Sequence, residues 1–277
     1  MGQGTQLSWV SAPVPKKYFI MKKIALFTLL CILGAPVQAQ GVLTLPDFNS
    51  GKTIWYVRAG ASFSGVTGSG IDNQKDAWRK GSYNGDFSRK FGGNIMIGFN
   101  KSFGQSPVYW GMELGVGMRG YKTEAEKSSS GSVASAGNYH SYSKTTDSNE
   151  LNAYNVQFSP INIGYKYQFN DMLAVDIHVG GFASYDFAGK LKGEHNYNMS
   201  SSSQYGSSTQ SKDNGSSTNI GDIDGYRRHD FGVIAGAGVW VGHMNLEFTW
   251  QRGFVSIYKG SKKLFNNSFQ LRLGYAF

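Results

Sequence analysis

The sequence is short of cysteine, proline, charge and long apolar runs, and each shortage removes a class of protein. Its one cysteine, Cys31, lies in an N-terminal segment that reads as removable. The mature chain therefore offers neither a disulfide framework nor a thiol nucleophile. Cys31 is also unsuited to lipid attachment, which wants Leu three residues earlier and a small residue just before. Thr28 and Leu30 stand there instead. No stretch reaches 18 consecutive apolar residues, so no membrane-spanning helix is expected. Charged residues make up 16% of the chain and the formal net charge is +9. Four of the lysines, Lys16, Lys17, Lys22 and Lys23, fall in the removable segment, and losing them leaves about +5. That excess is too mild to argue for nucleic acid, and no recognition helix or RNA-binding motif accompanies it.

Glycine and aromatics are abundant instead, with 37 Gly, 16 Tyr and 18 Phe among 277 residues. Together with few Leu-rich helical periods, they point to a β protein with many tight packing points. The N-terminus carries an address. Met21-Lys22-Lys23 precedes an apolar run from Ile24 to Ala35 and then Pro36-Val37-Gln38-Ala39. A basic start, a short apolar run and a small-x-small site make a secretory signal peptide. Cleavage after Ala39 leaves Gln40 first. Residues 1–20 are expected to be a mis-called extension, 21–39 the signal peptide, and 40–277 one domain.

From Lys52 onward the chain repeats segments of apolar/polar alternation, each followed by a turn or loop. The last is the clearest: Phe269, Leu271, Leu273, Tyr275 and Phe277 alternate with Gln270, Arg272, Gly274 and Ala276. Side chains in a strand alternate faces, so one side is apolar and the other small or polar. The first strand opposes Trp55, Val57, Ala59 and Ala61 to Tyr56, Arg58, Gly60 and Ser62. The third opposes Val108, Trp110, Met112, Leu114 and Val116 to Tyr109, Gly111, Glu113, Gly115 and Gly117. The fourth slips phase at Ser159-Pro160, where a bulge would accommodate proline's missing N–H. Eight such segments are present.

The less apolar faces decide the class. A soluble sheet would put them in water, where glycine is a poor choice. Glycines beside Arg58, Glu113, Arg119, Lys166, Asp176, His178, Glu247 and Arg272 suit a crowded polar lumen, with the apolar face toward lipid. The connections support this. They alternate long and short, with short ones at Gly104–Ser106, Asn170–Met172 and Gly242–Met244, and long ones at Val66–Arg89, Lys122–Leu151 and Leu191–Arg228. The expected fold is all-β: an eight-stranded antiparallel transmembrane β-barrel with short periplasmic turns, long extracellular loops, and aromatic girdles at both interfaces. The expected location is the bacterial outer membrane, with loops at the cell surface.

Leu271-Arg-Leu273-Gly-Tyr275-Ala-Phe277 resembles the terminal strand, ending on an aromatic, that outer-membrane insertion machinery recognises. Phe158-Ser-Pro160-Ile-Asn-Ile-Gly-Tyr-Lys166-Tyr167 is similar to a proline-containing strand in the outer-membrane porin family, or PorT-like small barrels, of Bacteroidetes. The resemblance implies fold and location over residues 40–277. It makes Leu273, Tyr275 and Phe277 an insertion signal and the barrel-assembly machinery a partner. The Ser-rich outer loops depart from it.

Candidate chemistry is sparse, and no cofactor is expected. Gly115-Val-Gly117-Met-Arg-Gly120 has the letters of a dinucleotide fingerprint, but it lies in a strand with no helix after it. Asp176, His178 and Ser184 share a strand face, yet at about 3.3 Å per residue Ser184 lies roughly 20 Å from His178, too far for a nucleophile and its base. The remaining histidines show no metal-ligand spacing. Arg89, Lys90, Lys190, Lys192, Arg227, Arg228, Lys262 and Lys263 fall where lipopolysaccharide phosphates would lie, and are expected to touch them. The loops Lys127–Asn149 and Ser200–Thr218 are Ser-, Asn- and Gly-rich and are expected to be mobile surfaces. The reading favours a non-enzymatic barrel with a structural or surface-interaction role and an extracellular ligand of unknown identity. A narrow channel is the alternative, and an outer-membrane hydrolase or acyltransferase a distant third.

Overall fold

A computed structural model describes residues 44–133, 139–203, 205–260 and 263–277. The proposed extension and signal peptide lie outside them. The elements are β1 (Thr53–Thr67), α1 (Ser69–Lys80), β2 (Asn84–Ser102), β3 (Val108–Val133), β4 (Tyr139–Gln168), β5 (Leu173–Ser203), β6 (Gly206–Asn219), β7 (His229–Val241), β8 (Met244–Ser256) and β9 (Phe265–Ala276). Hydrogen-bonded neighbours follow the order β4-β3-β2-β1-β9-β8-β7-β5-β6, and β4 also pairs with β5. That extra pairing closes eight strands into a ring and leaves β6 hanging on β5 outside it. Closure removes every edge within the ring, as a wall in lipid requires.

Alternation sets the two surfaces. In β1, Trp55 is 45% exposed while its neighbour Tyr56 is 1% exposed. The same contrast recurs around the ring, with Ile95, Leu114, Ile163, Ile177, Phe248 and Leu273 outside and Met96, Glu113, Lys166, Asp176, Glu247 and Arg272 inside. The β4–β5 register slips between Phe158 and Ile161, placing an irregularity at Ser159-Pro160. Outward aromatics gather near both ends: Phe103, Tyr167, Phe169, Tyr275 and Phe277 at one, Phe63, Tyr185, Phe187 and Phe254 at the other.

Two of the long connections differ from the sequence expectation. The stretches Lys127–Asn149 and Ser200–Thr218 were expected as mobile loops, but β3, β4 and β5 run on past the barrel rim. Ser130 pairs with Tyr142, Tyr142 with Ser200, and Ser200 with Thr209 of β6. The result is a four-stranded blade continuous with the wall. Composition misled because it measures what a segment can bury. A strand that inherits its register from the wall needs only backbone ladder bonds to continue. The Val66–Arg89 connection is also structured, since it contains α1.

Both mouths of the barrel are stoppered. At the short-turn end the segment before β1 crosses the opening, with Leu45 N–H donating to the Asp171 carbonyl. Its Phe48 ring sits 5.0 Å from Trp240, edge to face, in a buried cluster with Ile54, Tyr56 and Ala276. At the other end Tyr121 and Leu151 of the inner wall pack with Ile220, Ile257 and Leu264 from the connections. Tyr121 and Tyr258 join hydroxyls across this cap at 2.9 Å.

Candidate functional site

The lumen between the stoppers is built in layers. Parity along each strand decides which side chains enter it, and strand pairing decides which ones meet. Nearest the short-turn end, Asp176 accepts hydrogen bonds from the Tyr109 hydroxyl (2.6 Å) and the Trp240 indole N–H (2.9 Å). His178 Nδ1 lies 3.5 Å from the same carboxylate. Lys166 has an aromatic box: its Nζ is 3.4 Å from the Phe48 ring centroid and 4.3 Å from that of Trp240, a cation–π setting in place of water.

Above this lies a fully buried charge square. Arg58 Nη1 is 2.5 Å from Glu113 Oε1 and 2.7 Å from Glu247 Oε2. Arg272 donates to Glu247 through Nε at 3.0 Å and reaches Glu113 at 3.4 Å. Two guanidiniums against two carboxylates balance the charge. Tyr56 donates to Glu113 and Asn245 accepts from Arg58, both at 3.1 Å. Burial of such a group is tolerable only when opposite charges are paired this closely.

A third charged layer lies near the far end. Arg119 holds Asp186 with two bonds of 2.9 Å. Its Nη1 also donates to Ser184 (3.0 Å) and Asp230 (3.2 Å). Tyr226 donates to Asp186 at 2.6 Å, tying this layer to the apolar cap. Between the charged layers is a cavity of about 30 Å³ edged by Asn94, Asn155, Gln157, Gln251 and Gln270. Asn94 Nδ2 and Oδ1, Gln157 Nε2, Gln251 Nε2 and Gln270 Oε1 have no protein partner. The volume suits about two water molecules held by these amides.

All eight residues expected in the lumen are in it, though not as one network. Arg58, Glu113, Glu247 and Arg272 form the square, Lys166, Asp176 and His178 lie below it, and Arg119 is in the layer above. Asp176 and His178 are neighbours, whereas Ser184 belongs to the Arg119 layer. Among the described residues no group of three His, Cys, Asp or Glu side chains is placed to hold a metal. Gly115, Gly117 and Gly120 lie within β3, not at a strand-to-helix turn. Sequence reasoning missed Asp186 and Asp230, although they share parity with Asp176 and with Ile234. It also missed the Phe48 stopper and Arg252.

The basic residues at the outer rim divide. Arg89 stacks on Phe269 (4.6 Å to the ring centroid) and donates to Asn267 Oδ1 at 2.8 Å. Lys90 pairs with Glu150. That hydrogen bond, reinforced by Asn152, holds the Glu150 carboxyl below its ordinary range. Lys190, Lys192, Arg227, Arg228 and Lys263 form no ion pair among the described residues, and Lys262 lies outside them. Leu273, Tyr275 and Phe277 all face outward on the terminal strand.

A closed ring, apolar outside, charged inside and girdled at both ends, is an integral outer-membrane β-barrel. No protein-family model and no curated relative matches the sequence. Among solved structures the chain is similar to Ail, the attachment invasion locus protein of Yersinia pestis, solved with the heparin analogue sucrose octasulfate. Identity is 13%, covering 82% of this chain and 99% of that one, at a TM-score of 0.30. It is also similar to Neisserial surface protein A (9% identity, 80% and 97% covered, TM-score 0.29). A third likeness is to the outer-membrane channel DcaP of Acinetobacter baumannii (8% identity, 82% and 96% covered, TM-score 0.21). At these scores the likenesses add nothing to the architecture that the strand ladder itself defines.

Proposed function

We propose that this is a non-conducting barrel whose task is to present its outer blade at the cell surface, where it engages an extracellular ligand. The observation that carries the reading is the pairing of a lumen obstructed at every level with a strand ladder that continues outward. A route for solutes would have to pass the Phe48 stopper, the Arg58–Glu113–Glu247–Arg272 square, the Arg119 layer and the apolar cap. None of that machinery serves transport, whereas all of it stiffens the base of the blade. Among the described residues, nothing in the lumen joins a nucleophile to a base, which favours a binding role over catalysis. The signal peptide at 21–39, insertion through Leu273, Tyr275 and Phe277, and the PorT-like kinship belong to the same proposal.

The test is single-channel recording of the refolded protein in a planar bilayer. Silence is expected from the wild type and from a variant shortened across 128–143 and 198–211, which should still show heat-dependent gel mobility. Phe48→Ala, which uncorks one mouth only, should stay silent as well. Steady ion-selective steps from the wild type would sink the proposal and install the narrow channel in its place.

A further inference from the structure

The outer wall carries an unpaired arginine beside an apolar groove. Arg252 lies on β8 between Trp250, half-buried on the lipid side, and outward Phe254, with Gln251 and Gly253 buried on either side of it in the chain. Parity therefore turns Arg252 to the outside. It is half-buried there and makes no ion pair among the described residues. Register sets what surrounds it. Arg252 pairs with Asn267 of β9 on one side and Val233 of β7 on the other. Asn267 pairs in turn with Gly65, which pairs through β1–β2 next to Arg89, whose guanidinium reaches back to Asn267. The Arg89 guanidinium thus rests on the residue that pairs with Arg252.

On the other side, Val233 pairs with Gly181 and Gly181 with Ile161. These residues, with Ala235 and Trp250, bound a groove of about 670 Å³ sunk into the lipid-facing wall. Its depth comes from small side chains: Gly181 and Ala235 sit where neighbouring outward positions carry Val179 and Val233. An added Cβ at Gly181 would meet nothing nearer than the Gly232 carbonyl oxygen, at 3.6 Å. The glycine is thus not forced by crowding, and the hollow is available to be filled.

We propose that this is a binding site for one phosphorylated, multi-acyl lipid of the outer leaflet, the lipid A moiety of lipopolysaccharide. Arg252 and Arg89 hold its phosphate, and an acyl chain lies in the groove beneath. An outward cation near the interface costs little by itself and gains when an anionic headgroup meets it. Guanidinium is the side chain best matched to phosphate, through paired charge-assisted bonds. The groove opens on the same row of residues as that cation, so head and tail of one molecule reach both. This site lies on the wall portions of β2, β4, β5, β7 and β8, apart from the blade, and its test does not depend on what the blade does.

The experiment is native mass spectrometry of the refolded full barrel released from micelles containing bisphosphorylated lipid A. Three further probes are run beside it: the dephosphorylated form with the same chains, phosphatidylglycerol, and inorganic phosphate. The wild type should retain one molecule of bisphosphorylated lipid A, and retention should fall at least about tenfold when the phosphates are removed, as the loss of charge-assisted bonds predicts. Arg252→Gln should reproduce that fall. Gly181→Leu should lower retention with or without the phosphates by filling the groove, while heat-dependent gel mobility stays intact. Unchanged retention in either variant overturns the site. Equal retention of phosphatidylglycerol or of inorganic phosphate overturns its assignment to lipid A.

Discussion

The barrel wall and the blade are the same ladder under two different demands. Within the wall every residue answers to two environments, lipid on one side and a crowded lumen on the other. Strict alternation follows, and glycine appears where a neighbour leaves no room. At Gly60 an added Cβ would come within 2.1 Å of the Leu271 carbonyl oxygen. In the blade both faces meet water, and at Gly215 an added Cβ would meet nothing within 4 Å. Backbone pairing is equal in the two regions. What differs is the tolerance of the positions, and tolerance follows the space around a side chain more than its secondary structure.

That contrast can be broken or sharpened by experiment. The largest effect is expected at the charge square. Arg272→Met leaves Glu113 and Glu247 sharing Arg58 alone, and a broken buried pair typically costs about 3–5 kcal/mol. Urea unfolding of the refolded barrel in vesicles should show the loss, and a change below about 1 kcal/mol would mean that water already screens the square. Next, Gly60→Ala should weaken the wall by about 1–3 kcal/mol through overpacking, whereas Gly215→Ala should leave it within about 0.5 kcal/mol. Equal effects would erase the distinction between the two regions.

The smallest effect is expected on pH, where α1 meets β2. Lys75 lies 2.7 Å from Asp86 and holds that carboxyl below its ordinary value. A lowered carboxyl contributes above the unfolded pKa and loses its contribution as pH falls through the folded one. The α1–β2 contact should therefore be constant from neutral pH down to the usual aspartate range and weaken only below it. NMR titration of Asp86 against Lys75→Gln checks this, and an Asp86 unmoved by the substitution would refute it.

Much of the wall was legible in the sequence because alternation is a local signal with a fixed period. Eight strands, their inward charges and the irregularity at Ser159-Pro160 could all be read from it. Asp186 and Asp230 obey the same parity, but they lie beyond the clear apolar runs, so their pairing with Arg119 was visible only once the strands were joined. Arg252 breaks the apolar face it belongs to, and nothing in the chain announces that Val233 and Gly181 lie beside it. The Phe48 stopper comes from a segment with no periodicity at all. The blade escaped notice for the opposite reason to the wall: its strands are dictated by neighbours in space and carry no apolar signature of their own.

β5 runs unbroken from Leu173 at the periplasmic turn to Ser203 at the blade tip, roughly 100 Å at about 3.3 Å per residue. Any load applied at the tip therefore travels down a single covalent strand, past Asp186, held by Arg119, and Asp176, to the inner face of the membrane. The ladder bonds on either side are loaded in parallel along that whole length, so they resist together instead of peeling one by one. Under a load applied at the blade tip, the molecule is strongest along its strand axis.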